Sequence, residues 1–228
     1  MGEPNRAPYN NSMQLTALRA QLMLSVRPQG AHGTGRMTGT EYPVSFNPLP
    51  LDTRSLLIRQ VVLDDARDLL VLSNEQMFRA WLPSQVYSDE SHARSALEFL
   101  IGQYSTPANP RQGAYVLVIE HKADRTLIGH VGLSPIDDDV EIGFAIAQRY
   151  QGHGLAVEAI VAASRWAFET FGLDRILSIT SSANIASKRA LVRAEFAHQG
   201  DKVMRFQGTE QSVSVYALSA LSGPEVGA

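Results

Sequence analysis

From about residue 55 onward, apolar and polar positions recur with regular periods, and the period switches in an orderly way along the chain. Residues 56–62 read as a strand, and 64–73 as a helix with Asp64, Asp65 and Asp68 in its first turn, where negative charge suits the positive end of the helix dipole. Between 89 and 104, Ala93, Leu97, Leu100, Ile101 and Tyr104 share one helical face, which predicts an amphipathic helix. The period then shortens. Strands are predicted over 114–120 and 126–136 around the polar turn His121-Lys122-Ala123-Asp124, and Asp137-Asp138-Asp139 turns the chain into a third strand over 140–146. A helix over 154–171, a strand over 175–181, a helix over 184–194, and strands over 195–200 and 212–218 complete the pattern. Helices set between antiparallel strands predict an α/β fold of the mixed α+β kind: a largely antiparallel sheet of about six or seven strands flanked by about four helices.

Residues 1–50 break this regularity. Pro4, Pro8, Pro28, Pro43, Pro48 and Pro50, with a glycine-rich stretch over 30–39, oppose packed elements and predict a largely flexible extension. Leu15, Leu18 and Leu22 recur at helical spacing and predict a helix over 12–26. Arg6, Arg19, Arg27 and Arg36 against Glu3 give this segment the basic composition of a transit peptide; a variable extension or a docked helix explains the same residues. The expected organisation is an extension over 1–50, a catalytic domain over 51–222 and a short tail over 223–228.

Composition narrows the function classes. A chain of 228 residues with 44% hydrophobic and 19% charged positions can bury a full core. No apolar run approaches the ~20 residues of a membrane span. The chain has no cysteine, which excludes disulfides, a thiolate nucleophile and a cysteine-based zinc site. A net charge of −3 argues against a nucleic-acid partner, whose binder usually carries a basic stripe. The expected location is the cytoplasm.

The candidate chemistry begins where the 140–146 strand meets the 154–171 helix, in Arg149-Tyr150-Gln151-Gly152-His153-Gly154-Leu155-Ala156. Glycines before a helix allow a tight turn and leave the first amides bare, and those amides sit at the positive end of the dipole, a ready phosphate site. A glycine loop that merely joins strand to helix explains the same spacing. A dinucleotide fingerprint would need a third glycine where Val157 stands, and a Walker loop would need a lysine. The next strand leads into Asn184-Ile185-Ala186-Ser187, and farther on Phe196.

Taken in order, Glu141-Ile142-Gly143-Phe144, Arg149-x-x-Gly152-x-Gly154-x-Ala156, Glu158-Ala159, and Asn184-x-x-Ser187 resemble the GNAT superfamily of acetyl-CoA-dependent N-acetyltransferases. The Asn/Ser pair with Phe196 is most similar to the branch containing the ribosomal-protein-alanine N-acetyltransferases, over about residues 55 to 220. The resemblance implies acetyl-CoA as acyl donor, no metal, and direct transfer to an amine. It also implies a pyrophosphate held by the backbone amides of Gln151, Gly152, His153, Gly154, Leu155 and Ala156, with Arg149 supplying charge. The backbone of Phe144, Ala145 and Ile146 would pair with the pantetheine arm, Asn184 would hold that arm, and Ser187 would face the thioester sulfur. Relatives often carry a tyrosine acid seven positions after this asparagine, where this chain has Leu191, and glycine before Phe196, where it has Glu195.

The residues themselves leave roles open. Glu141 interrupts a run of apolar neighbours and is a candidate base and substrate contact; a charge at the start of a strand is the plainer reading. Asn184 is equally suited to capping a helix, Arg149 to a solvated loop. Trp81, in Arg79-Ala80-Trp81-Leu82-Pro83, resembles a substrate wall and would serve as well in the core. The expected activity is acetyl transfer to a primary amine, foremost an α-amino group of a protein or peptide. A small amine (a polyamine or an aminoglycoside) is an alternative acceptor, and a silent acyl-CoA-binding module, or a homodimer of either, fits the same motifs.

Overall fold

Alternation along Leu56-Leu57-Ile58 puts Leu56 and Ile58 wholly out of solvent, the mark of a strand packed on one face. The same rule repeats along the computed structural model, which describes residues 49–104 and 109–220. The helix expected over 12–26, and the rest of the extension before Leu49, lie outside the described residues. Among the described residues the strands are β1 (Leu51–Asp52), β2 (Leu56–Gln60), β3 (Tyr115–His121), β4 (Thr126–Ile136), β5 (Asp139–Ile146), β6 (Arg175–Ser181), β7 (Ala197–Phe206) and β8 (Thr209–Ser219). They form one sheet of eight strands in the order β1-β2-β3-β4-β5-β6-β8-β7. Every neighbouring pair is antiparallel except β5 and β6.

The helices are α1 (Ala66–Ser73), α2 (Gln76–Trp81), α3 (Glu90–Gln103), α4 (Leu155–Phe171) and α5 (Ile185–Arg193). The fold class is the expected one, with a sheet of eight strands rather than six or seven. The differences are short or unpatterned elements. β1 is two residues long and α2 six, too short to show a period. β7 runs on to Phe206 because it is an edge strand whose positions are mostly exposed, so no apolar alternation marks it.

The core is divided unequally between the two faces of the sheet. On the back, α4 and α5 pack on β2 to β6 and β8 in one continuous cluster that includes Ile58, Leu117, Ile142, Ile160, Ile176, Leu191 and Tyr216. On the front there are two separate clusters. One gathers Leu69, Phe78, Leu97, Val118 and Leu127 beneath α1, α2 and α3; the other gathers Ile136, Ile179, Phe206 and Val213 from β4 and β6 to β8. The front face therefore has a gap between them, and the back face does not.

α5 ends in a Schellman turn: Phe196 N–H donates to Leu191 C=O at 3.0 Å and Glu195 N–H to Val192 C=O at 3.1 Å. Glu195 occupies the left-handed position at φ +66°, which glycine adopts without strain and a residue with a side chain rarely does.

Candidate active site

β5 and β6 are in parallel register at a single pair, Glu141 opposite Leu177. Before that point the Arg175 guanidinium grips the Asp139 carboxylate, with Nε to Oδ1 at 3.1 Å. Just beyond it the Ser178 hydroxyl donates to the Ile142 carbonyl at 2.9 Å, and then the strands part. Successive strand residues send their backbone groups to opposite edges. Ile142 faces β6, whereas the Ala145 carbonyl faces β4, so closely that a Cβ on Gly129 would lie 2.0 Å from it. Phe144 therefore turns its N–H and C=O into the gap.

The gap is a cleft of about 420 Å³ that passes through the sheet. On the back it is bounded by the start of α4 (Leu155, Ala156) and of α5 (Asn184, Ser187), and on the front by Phe78, Trp81, His130, Ile179 and Phe206. Gly143, Phe144, Ala145 and Ile146 form its strand edge, and Glu141 lies at the crossing, 3% exposed.

Gly152 and Gly154 both have φ +82°, and a Cβ on either would meet nothing within 4 Å. They are glycines for their backbone conformation, not for want of room. Backbone bonding in α4 begins with Glu158 N–H to Gly154 C=O at 3.1 Å, so the amides of Leu155, Ala156 and Val157 have no partner within the helix. These amides and the dipole of a 17-residue helix point positive charge at the cleft. The loop is braced by the Gln151 side chain, whose Nε2 donates to Ile146 C=O at 2.9 Å. Glu158 anchors the helix start: Thr53 Oγ1 and Ser55 N–H donate to it at 2.7 and 2.6 Å. Burial alone would raise its pKa; those bonds outweigh burial and hold it below the usual range.

Two residues of the loop turn their side chains away from the cleft, and of these His153 was expected to contribute only its backbone amide. Arg149 is exposed with its guanidinium 4.9 Å from the Tyr150 ring, and His153 is exposed; neither lines the cleft. Asn184 does cap its helix, accepting from Ser187 N–H at 3.1 Å, and both residues also line the cleft. Trp81 is half-buried and lines the front side of the cleft.

The sequence pattern of the acetyltransferase (GNAT) domain matches residues 55–197. The chain belongs to this family. It is an acyltransferase. An uncharacterized N-acetyltransferase, YoaA of Bacillus subtilis (strain 168), is 28% identical over 174 residues, covering 74% of this chain and 95% of that protein. The fold is similar to that of ribosomal-protein-S5-alanine acetyltransferase from Vibrio fischeri, with TM-score 0.63, 17% identity and coverage of 75% of this chain and 97% of the other. RimJ from Mycobacterium smegmatis, in complex with a CoA-disulfide, gives TM-score 0.63 and 18% identity over 75% of this chain and 84% of the other.

As a GNAT acetyltransferase the protein also carries cleft residues that its motifs do not reveal. His130 on β4 lies opposite Ala145 and beside Phe78, ring centroids 6.0 Å apart; desolvation lowers its pKa to about 4. Arg189 and Arg193 on α5 line the back of the cleft one helical turn apart. Their four-residue spacing was a usable signal for a shared face. Phe206 had none, because the pattern of its strand is masked by exposure.

Proposed function

We propose that the protein moves an acetyl group from acetyl-CoA directly to the α-amino group of a protein or peptide. Glu141 carries this reading: a buried carboxylate at the point where the cleft crosses the sheet, and the single acidic side chain in the cleft wall among the described residues. The amides of Gly152 to Val157 are suited to the pyrophosphate, and the Phe144 edge to an extended amide-bearing arm, which pairs with it as an added strand would. Bound acetyl-CoA supplies an activated acyl carbon. Glu141 takes the proton that the amine must lose, and the Ser187 hydroxyl donates to the departing sulfur, a modest demand because a thiol's pKa is ~8.5. Cysteine is absent, so an acyl-cysteine route is closed.

One carboxylate suits an amine that is already partly neutral. An α-amino group has pKa ~7.7–8.0 and a lysine side chain ~10.4, so deprotonating lysine at neutral pH costs roughly 3 kcal/mol more. Thiol release from acetyl-CoA, followed with a matched panel of peptides, spermidine and an aminoglycoside, tests the reading. The expected result is the highest kcat/KM on peptide N-termini, with Glu141→Gln lowering kcat by roughly 10²–10³ and leaving acetyl-CoA affinity nearly unchanged. Turnover of spermidine or the aminoglycoside with none on peptides would reject it.

A further inference from the structure

The front half of the cleft differs in character from the back. Its one wall is Met77, Phe78, Trp81 and Leu82, from α2 and the turn after it; the facing wall is Ile179 and Phe206, from β6 and β7. Pairing places His130, Gly143, Ala145 and Glu141 on a common face between these walls, because His130 is opposite Ala145 and alternate β5 residues share a side. Among the described residues this half of the cleft carries no lysine or arginine and one carboxylate, Glu141. His130 adds no charge at neutral pH, since burial holds its imidazole in the neutral form. The two walls are joined at the outer end, where the Ser84 hydroxyl donates to Gln207 Oε1 at 2.7 Å, linking the turn after α2 to the turn between β7 and β8. The space is thus a bounded chamber with one acidic side chain and mainly apolar walls, in which Gln85 and the Trp81 indole N–H are the neutral polar groups of the α2 side.

From this chamber we infer that the acceptor carries an apolar side chain on the residue that bears the amine: the ammonium faces Glu141, and an aliphatic or aromatic group lies between Phe78, Trp81 and Leu82 on one side and Ile179 and Phe206 on the other. The inference rests on the acetyl-transfer reading above. A first residue with its own positive charge would be buried there without a partner, and a first-residue carboxylate would face Glu141 as a like charge. A small first residue would leave the walls unfilled. Hydrophobic pockets separate side chains that differ by a methylene by roughly 10-fold or more, so a leucine should outrun an alanine by at least that factor.

The test uses pentapeptides identical except at the first residue, which is Leu, Phe, Ala, Asp or Lys, with saturating acetyl-CoA and thiol release as readout. The Leu and Phe peptides should exceed the Ala peptide in kcat/KM by about 10-fold or more, and the Asp and Lys peptides should fall below it. Leu82→Asp should shrink the Leu-to-Lys ratio by about 10-fold, through an added carboxylate on a half-buried wall position. Trp81→Ala, which adds no charge, should lower the Leu and Phe peptides more than the Ala peptide. Equal kcat/KM across the series, or an Ala peptide that is best, overturns the inference while the acetyl-transfer reading survives. Turnover of phenethylamine with no peptide turned over rejects the protein acceptor and keeps the apolar seat.

Discussion

His130 sits in a cleft wall with its pKa at about 4, against an ordinary histidine value of 6.5. Between those values the unfolded chain binds more protons than the folded one, so stability falls as pH drops from 6.5 toward 4 and levels off below. Differential scanning calorimetry from about pH 7 to about pH 4 should show the wild type losing melting temperature relative to His130→Phe across that window. Parallel curves would mean that His130 is hydrated in solution and contributes no linkage. This residue was invisible in the sequence for a definite reason. Alternation says that His130 lies on one face of a strand, but nothing in the chain says which face opens onto a cleft. Glu141 was singled out as a charge in an apolar strand and Asn184 and Ser187 through the family resemblance, and all three line the cleft. Arg149 was legible as part of the glycine loop, yet its side chain turns out to the Tyr150 ring instead of inward.

The junction of β5 and α4 shows what an element contributes beyond its residues. Gly154 is the N-terminal cap of α4 at φ +82°, a conformation that a β-branched side chain resists strongly. Open space around its Cβ position means that Gly154→Val acts by turning the backbone, which re-aims the amides of Leu155, Ala156 and Val157. Titration calorimetry should show acetyl-CoA bound at least ~10-fold more weakly, about 1.4 kcal/mol. An unchanged affinity would show that these amides are not the phosphate seat. Long elements such as β4, β6 and α4 were readable almost to the residue because many turns or pleats repeat one signal. β1 and α2 escaped because they are short, and β7 was read only over its first residues because the rest of it is an exposed edge. That matters here, since α2 and β7 each supply part of a front wall of the cleft.

At the scale of the whole molecule, the core is continuous on the back of the sheet and divided on its front, and the sheet itself parts between β5 and β6. The single parallel pair, Glu141 with Leu177, is where the division starts, and no local sequence signal encodes it. It follows from a long helix having to return the chain to a strand beside β5 while β8 occupies the other edge of β6. Such a seam should leave an isotopic record. In heavy water, the Ile142 and Phe144 amides both point toward β6, but Phe144 lies past the last strand pair and faces open space. In the free protein its deuterium should arrive far sooner than that at Ile142. Saturating the protein with acetyl-CoA should slow uptake at Phe144 toward the rate of a paired strand and leave Ala145, already turned to β4, almost unchanged. The molecule would then report its missing strand one amide at a time, with only alternate positions along β5 sensing whether that strand has been supplied.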